Sequence, residues 1–185
     1  MKVLEGKKIA ILTEDGFEET ELTSPKAALE EAGAIVHIVS PKAGKVKAWK
    51  DGNWSIELPV DVQLEDADCD DYDGIVIPGG VINPDLMRRN DDCVEFAQHF
   101  LSAGKMVASI CHGPQLLIET KILEGRKMTS FHSIRTDLEN AGVDWVDREV
   151  VNENGLITSR SPEDLEAFNE KIIEELLEEK HESAF

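Results

Sequence analysis

Short β-branched apolar runs, each cut off by a turn signal and followed by a helix-like stretch, constrain this chain most. Lys8 to Thr13, Ile35 to Ser40, Gly74 to Ile77 and Met106 to Ile110 have the length and composition of buried strands. Buried strands separated by helical patterns imply βαβ units, so the chain is expected to be an α/β protein with a mostly parallel sheet. Leu22 to Gly33 reads as a helix stopped by a glycine C-cap. Asp91 to Ala103 sets Val94, Ala97, Phe100 and Leu101 at helical spacing and stops at Gly104. Val46 to Leu58 alternates around Asp51-Gly52-Asn53, a small edge hairpin. Glu149-Val150-Val151 and Leu156 to Ser159 flank Asn154-Gly155, a strong type I′ hairpin signal. Ser161-Pro162-Glu163-Asp164 then combines an N-cap, a proline at N1 and first-turn acids. The helix after it carries Leu165, Phe168, Ile172 and Leu176 along one stripe.

No repeat or linker interrupts this pattern, and 185 residues suit one domain. Residues 1–185 are therefore read as a single domain with its core over about 8–178, and both termini are expected to fray. Lys and Arg total 19 against 38 Asp and Glu, a net charge of −19 that repels phosphate backbones and anionic membranes. No stable nucleic-acid or membrane partner is expected. A 41% hydrophobic content argues against a disordered acidic chain. No run reaches the roughly 7–15 apolar residues of a secretory signal or the roughly 20 of a membrane span. Three irregularly spaced cysteines give neither a disulfide framework nor a CxxC pair. They fit free thiols in a reducing cytoplasm, and any one of them could be a nucleophile.

Ligands of open parallel sheets bind beyond the carboxyl ends of the strands, so chemistry is sought after Thr13, Ile77 and Ile110. After Ile110 the strand runs straight into Cys111-His112-Gly113-Pro114. Ser109 and Gly113 lie two positions either side of the cysteine, the small-x-nucleophile-x-small spacing of a nucleophile elbow. A bare cysteine at a strand end usually only packs; the elbow spacing and the His-Gly-Pro beside it favour a nucleophile, with the helix N-terminus assisting a thiolate. After Ile77, Pro78-Gly79-Gly80 lets backbone N–H groups approach a reacting atom, although most such tripeptides are plain turns. Asn83-Pro84-Asp85 follows, where Asp85 could simply cap a helix. After Thr13, Glu18 and Glu21 share a face if the segment is helical, though a solvated acidic run reads the same.

The remaining candidates read as structural. Cys69 lies in an acidic loop that repels a thiolate. Cys93 begins a helix with nothing assembled around it. His37 sits inside a strand and His99 on a helix beside Phe100. No His/Cys/Asp set has metal spacing, and no phosphate loop or GxGxxG is present, so neither a metal nor a cofactor is expected.

Together these segments resemble the ThiJ/PfpI superfamily, in its PfpI branch of intracellular proteases and protein deglycases. The matching pieces are Phe17-Glu18-Glu19-Thr20-Glu21 with Ser24-Pro25, Ile77-Pro78-Gly79-Gly80, and Ala108 to Gln115. Glu124-Gly125-Arg126-Lys127, Asn140-Ala141-Gly142-Val143 and Thr158 to Leu165 complete the series in family order. The resemblance implies a flavodoxin-like three-layer sandwich of the class I glutamine amidotransferase type. It also implies a homodimer, often built up into a hexamer, with the active site at a subunit interface. Cys111 matches the nucleophile, Glu21 the glutamate bonded to its sulfur, and His112 the proposed base. Gly80 and the His112 N–H match the oxyanion hole beside Gly79, and Glu18 a second pocket glutamate. Asp85 stands where protease-type members carry a glutamate that reaches the histidine of a neighbouring subunit; its carboxylate is one methylene shorter.

An ionised Glu21 beside Cys111 would oppose thiol activation by like-charge repulsion. The expected arrangement is therefore a protonated Glu21 donating to a Cys111 thiolate. The shared step is addition of sulfur to a carbonyl carbon. Acting on methylglyoxal or glyoxal adducts, the protein would be a deglycase or glyoxalase with a stress-protective role, the preferred reading. Acting on an amide, it would be an intracellular cysteine peptidase. A non-enzymatic redox sensor or stress chaperone that oxidises Cys111 is the other class. Glutamine amidotransferase chemistry is set aside, because neither His132 before Ser133-Ile134 nor His181 before Glu182-Ser183 forms its His-x-Glu pair.

Overall fold

Each of the four β-branched runs forms a strand whose side chains are almost all inside, in the computed structural model of the protein, which describes residues 2–178. The chain opens with β1 (Lys8–Leu12), the two-residue β2 (Phe17–Glu18), α1 (Glu19–Ala32) and β3 (Ile35–Ser40). The edge hairpin follows as β4 (Lys45–Lys50) and β5 (Asn53–Pro59), then β6 (Val62–Gln63) and β7 (Gly74–Ile77). Two helices, α2 (Ile82–Arg88) and α3 (Asp91–Ser102), lead into β8 (Met106–Ile110) and α4 (Pro114–Ile118). The last third holds β9 (Lys127–Met128), α5 (Arg135–Asn140), β10 (Asp144–Trp145), the hairpin β11 (Val150–Glu153) with β12 (Leu156–Ser159), and α6 (Leu165–Leu177).

The main sheet runs β11-β12-β8-β7-β1-β3-β6, parallel throughout except for the antiparallel β11–β12 hairpin. One face packs Phe96, Phe100, Leu116 and Leu138 from α3, α4 and α5. The other packs Leu22 and Leu29 of α1 with Phe168, Ile172 and Leu176 of α6. This is the flavodoxin-like three-layer sandwich. β1 sits between β3 and β7, so the chain reverses direction across it. That reversal opens a crevice beyond the carboxyl ends of β1 and β7. Both hairpin turns take the left-handed pair that a type I′ turn requires: Asp51 and Gly52 at φ 50° and 79°, Asn154 and Gly155 at 50° and 82°.

Three expectations shift. α1 begins at Glu19 rather than Leu22, because the inward residue of its first turn is the carboxyl of Glu21, which breaks the apolar period. The N-terminal segment is docked rather than frayed: Leu4 is fully buried and its N–H bonds to the Ala32 carbonyl at 2.9 Å. Ser161 caps nothing with its side chain; a 3-10 turn, Pro162–Asp164, precedes α6. The fraying expected beyond Glu178 lies outside the described residues.

The crevice is tied together by one buried amide. Asn83 Oδ1 accepts from the Glu14 N–H at 2.7 Å and the Thr13 hydroxyl at 3.2 Å, while Nδ2 donates to the carbonyls of Pro78 at 3.0 Å and Gly79 at 3.2 Å. It links the ends of β1 and β7 across a gap that no strand hydrogen bond closes. Asn83→Ala is expected to lower stability by about 2–4 kcal/mol, since buried partners lose their bonds. Urea unfolding measures this, and a loss under about 0.5 kcal/mol would show that the two loops hold themselves.

Candidate active site

Between β8 and α4 the chain turns at Cys111 with φ 61°, a left-handed conformation that costs a residue with a side chain roughly 1–3 kcal/mol. Its surroundings fix it there. The Cys111 N–H donates to the Ser159 carbonyl and its own carbonyl accepts from the Phe131 N–H, both at 3.0 Å. The small neighbours are a steric demand. A Cβ on Gly113 would lie 2.5 Å from Ser109 Oγ and 2.7 Å from the Ile77 carbonyl, and one on Gly79 would lie 2.8 Å from Cys111 Cβ. The elbow read from the spacing is therefore physically enforced.

Glu21 lies fully buried under this turn. Its Oε2 accepts from the Gly79 N–H at 2.8 Å, its other oxygen has no hydrogen-bond partner among the described residues, and the carboxyl as a whole interacts with the Cys111 thiol. Burial pushes the Glu21 carboxyl up to about 8, and nearby Glu18 adds to the rise. Glu21 is thus protonated at neutral pH and able to donate towards sulfur. The thiol is pushed up as well, first by burial and then by Glu21, while the backbone N–H groups of His112 and Gly80 pull it down. A protonated Glu21 agrees with the first half of the expected arrangement; burial of the thiol opposes the second half, a resting thiolate, while the repulsion from Glu21 vanishes once that carboxyl holds its proton.

His112, the base that the family resemblance implies, sets its Nδ1 3.2 Å from Cys111 Sγ. The left-handed turn is what lets consecutive side chains meet. The imidazole stacks on Phe131 at 4.8 Å and 26° between planes, and its Nε2 lies 3.1 Å from Ser133 Oγ. Burial, and then His132, lower its pKa, so the ring is neutral and free to accept a proton.

Gly80 takes φ 80°, and a Cβ there would strike the Gly16 carbonyl and lie 2.8 Å from the Glu18 N–H. Its N–H and that of His112 both act on the sulfur, the arrangement an oxyanion hole needs. Gly79 is a different case. Its N–H is engaged by Glu21, so it positions the carboxyl and is no oxyanion donor. Glu18 lines the pocket, its carboxyl raised by burial and then by Asp51 and Glu19. Asp85 is not brought to His112 within the chain; it is exposed on α2, away from the pocket lining.

The pocket is a cavity of about 410 Å³ whose upper walls are Trp49, Val81, Ile82, Phe131 and Pro162. Spacing along the chain does not mark these residues. Trp49 arrives through the β2–β4 pairing that sets it opposite Glu18, and Phe131 through its bond to Cys111. Elsewhere, Cys93 is buried with its thiol pushed up to about 12, so the helix start does not activate it. Cys69 is raised by burial and then by Asp68. His37 bonds the Tyr72 hydroxyl at 3.1 Å, and His99 packs edge-on against Phe100 and meets Asp70 at 3.3 Å. His132 tilts against Phe131. His181 lies outside the described residues. Among those residues no cluster of His, Cys, Asp and Glu could hold a metal, and no helix is long and apolar enough to cross a membrane.

The sequence pattern of the DJ-1/PfpI family matches residues 7–175. YraA of Bacillus subtilis, whose name proposes a cysteine protease, is 46% identical over 167 residues, covering 90% of this chain and 96% of its own. Deglycase TK1284 of Thermococcus kodakarensis is 40% identical over 166 residues, covering 90% and 97%. A two-domain protein of Anabaena variabilis with DJ-1/ThiJ/PfpI-like and ferritin-like domains superposes at a TM-score of 0.87 with 41% identity. That match covers 92% of this chain and 48% of the other, so the chain spans about half of that protein.

Glu21 supplies a pH test. The unfolded carboxyl loses its proton near pH 4.3, whereas the folded one keeps it to about 8. Its favourable contribution is complete below the unfolded value and is lost as pH rises towards the folded one, by about 1.4 kcal/mol per unit. Glu21→Gln cannot ionise, so its stability relative to the unsubstituted protein should rise between pH 5 and pH 7.5. Parallel urea-midpoint curves would mean that Glu21 is ionised in the folded state. Glu21→Gln should also largely keep Cys111 reactivity towards iodoacetamide while Glu21→Leu loses it; equal rates would remove the donor role.

Proposed function

The chain belongs to the DJ-1/PfpI family, and on that membership and the shape of the Cys111 pocket we propose that it is a cysteine-dependent hydrolase of methylglyoxal and glyoxal adducts. The observation that carries the reading is convergence: a thiol, a neutral imidazole and two N–H donors meet at the floor of a cavity of about 410 Å³ walled by apolar side chains. That volume admits a two- or three-carbon carbonyl unit together with part of the side chain or thiol that carries it. The 40% identity to a protein named a deglycase supports the same choice.

The chemistry is balanced by water alone. His112 takes the Cys111 proton as sulfur adds to the aldehyde carbon of methylglyoxal, and the Gly80 and His112 N–H groups hold the oxyanion. A proton moved from that carbon to its neighbour converts the thiohemiacetal into a lactoyl thioester, oxidising one carbon as the other is reduced. Water then releases lactate and returns the thiol. For an adduct, departure of the amine or thiol carrier precedes or accompanies these steps.

A second reading, peptidase activity, has one observation in its favour. A further cavity of about 630 Å³, lined by Trp145, Arg160 and Glu163, adjoins the first across Phe131 and Pro162 and leaves room for a longer substrate. The name of YraA points the same way. We also propose that the protein works in the cytoplasm as a homo-oligomer with this pocket near a subunit boundary. Val81, 65% exposed at the pocket rim, is the apolar surface that a second copy would cover.

Steady-state lactate or glycolate release from methylglyoxal- or glyoxal-treated thiols and amines is the test, with enzyme-free and dicarbonyl blanks. Cys111→Ser should reduce turnover by at least about 10²-fold. Turnover that survives the substitution, or none above the blanks, would overturn the deglycase reading, and cleavage of unmodified peptides would then establish the peptidase.

A further inference from the structure

We infer that Ser133 orients the imidazole of His112, completing a Cys111–His112–Ser133 relay inside a single chain. The relay is continuous: Sγ to Nδ1 is 3.2 Å, and Nε2 to Ser133 Oγ is 3.1 Å. For Nδ1 to accept the thiol proton it must carry none, which puts the ring hydrogen on Nε2, where the Ser133 oxygen accepts it. Once His112 is charged by the transfer, the same bond becomes charge-assisted and strengthens. The hydroxyl therefore acts most strongly after the proton has moved.

Ser133 is held independently of the ring it touches. It lies in the 3-10 turn His132–Ile134, whose Ile134 is buried and whose Ile134 N–H returns to the Phe131 carbonyl at 3.2 Å. The Phe131 N–H bonds to the carbonyl of Cys111 itself, and the Phe131 ring stacks on the imidazole. Nucleophile, base and serine thus share one short hydrogen-bonded circuit. The preceding Ser130 accepts from Trp145 Nε1 at 3.0 Å, which anchors the turn from its other side.

A neutral third member suits this site. The titratable groups around His112 are Cys111, Glu21 and Glu18 across the pocket and His132 on the turn. A carboxylate on Nε2 would favour the imidazolium and leave less neutral base at pH 7; a hydroxyl fixes the ring without that effect. Within one chain Asp85 lies exposed on α2, and the partner that Nε2 has is Ser133.

This inference rests on His112 serving as the base of the proposed reaction, so its test is made independent of any carbonyl substrate. Iodoacetamide alkylation of Cys111 is followed from pH 5 to 9 in the unsubstituted protein and in Ser133→Ala, Ser133→Thr and Ser133→Asp. The His112 titration is followed by NMR of the labelled imidazole. Ser133→Ala should slow alkylation at pH 7 by about 10-fold, and Ser133→Thr should restore it to within about 3-fold. Ser133→Asp should raise the His112 titration by about 1–2 pH units and carry the acidic limb of the alkylation profile with it. A purely structural serine would leave the Ser133→Ala alkylation rate and its pH profile unchanged. Unchanged rates in Ser133→Ala, or a loss that Ser133→Thr does not restore, would overturn the relay. Absent adduct turnover alongside these expected shifts would overturn the deglycase reading and leave the relay standing.

Discussion

The left-handed backbone of Cys111 is the constraint around which the rest of this structure is arranged. A residue with a side chain adopts that conformation only when its neighbours over-determine it. Here they do so from three directions: β12 supplies the Ser159 carbonyl, the loop after β9 supplies the Phe131 N–H, and Gly113 and Gly79 leave space that any Cβ would fill. The seven-stranded sheet matters to the chemistry chiefly because it delivers these groups to the ends of β7, β8 and β12. Relaxing the turn to an ordinary strand-to-helix connection would carry the sulfur away from Glu21 and His112 together.

Electrostatics then decides the resting protonation state. Two anions about 4 Å apart repel by roughly 4 kcal/mol at an effective dielectric of 20, and a helix N-terminus returns only about 0.3–1 kcal/mol. α4 has five residues, so its dipole cannot support both a Glu21 carboxylate and a Cys111 thiolate. The repulsion is relieved by the proton that burial keeps on Glu21, while burial also holds the Cys111 thiol up beside a neutral imidazole. Under the proposed function such a site would stay quiet until a carbonyl arrives, because negative charge would be created only as it passes from sulfur to an oxygen held by two N–H donors.

The sheet was legible in the sequence because its strands are buried on both faces and appear as unbroken β-branched runs. The elbow was legible because its requirements are met by residues two apart. Glu21 was harder to see: it is the inward position of a turn with other acidic residues, so the fully buried carboxyl looked like its neighbours. Trp49, Phe131 and Ser133 were invisible for another reason. They join the site through strand pairing and one long-range backbone bond, and nothing in their local spacing encodes either. Leu4 shows the same limit at the terminus, since a single apolar residue has no period to detect.

Charge outside the pocket has a direction of its own. The net charge of −19 surrounds a cavity whose Glu21 is neutral at physiological pH, so repulsion acts on the approach of a substrate more than on its reacting carbon. A field of that sign slows phosphate-bearing carriers and speeds cationic ones, and salt weakens both effects. Under the proposed function, adducts on basic proteins therefore reach Cys111 more readily than adducts on nucleic acid. Such discrimination would arise before chemistry, from the overall charge of the chain rather than from the elbow.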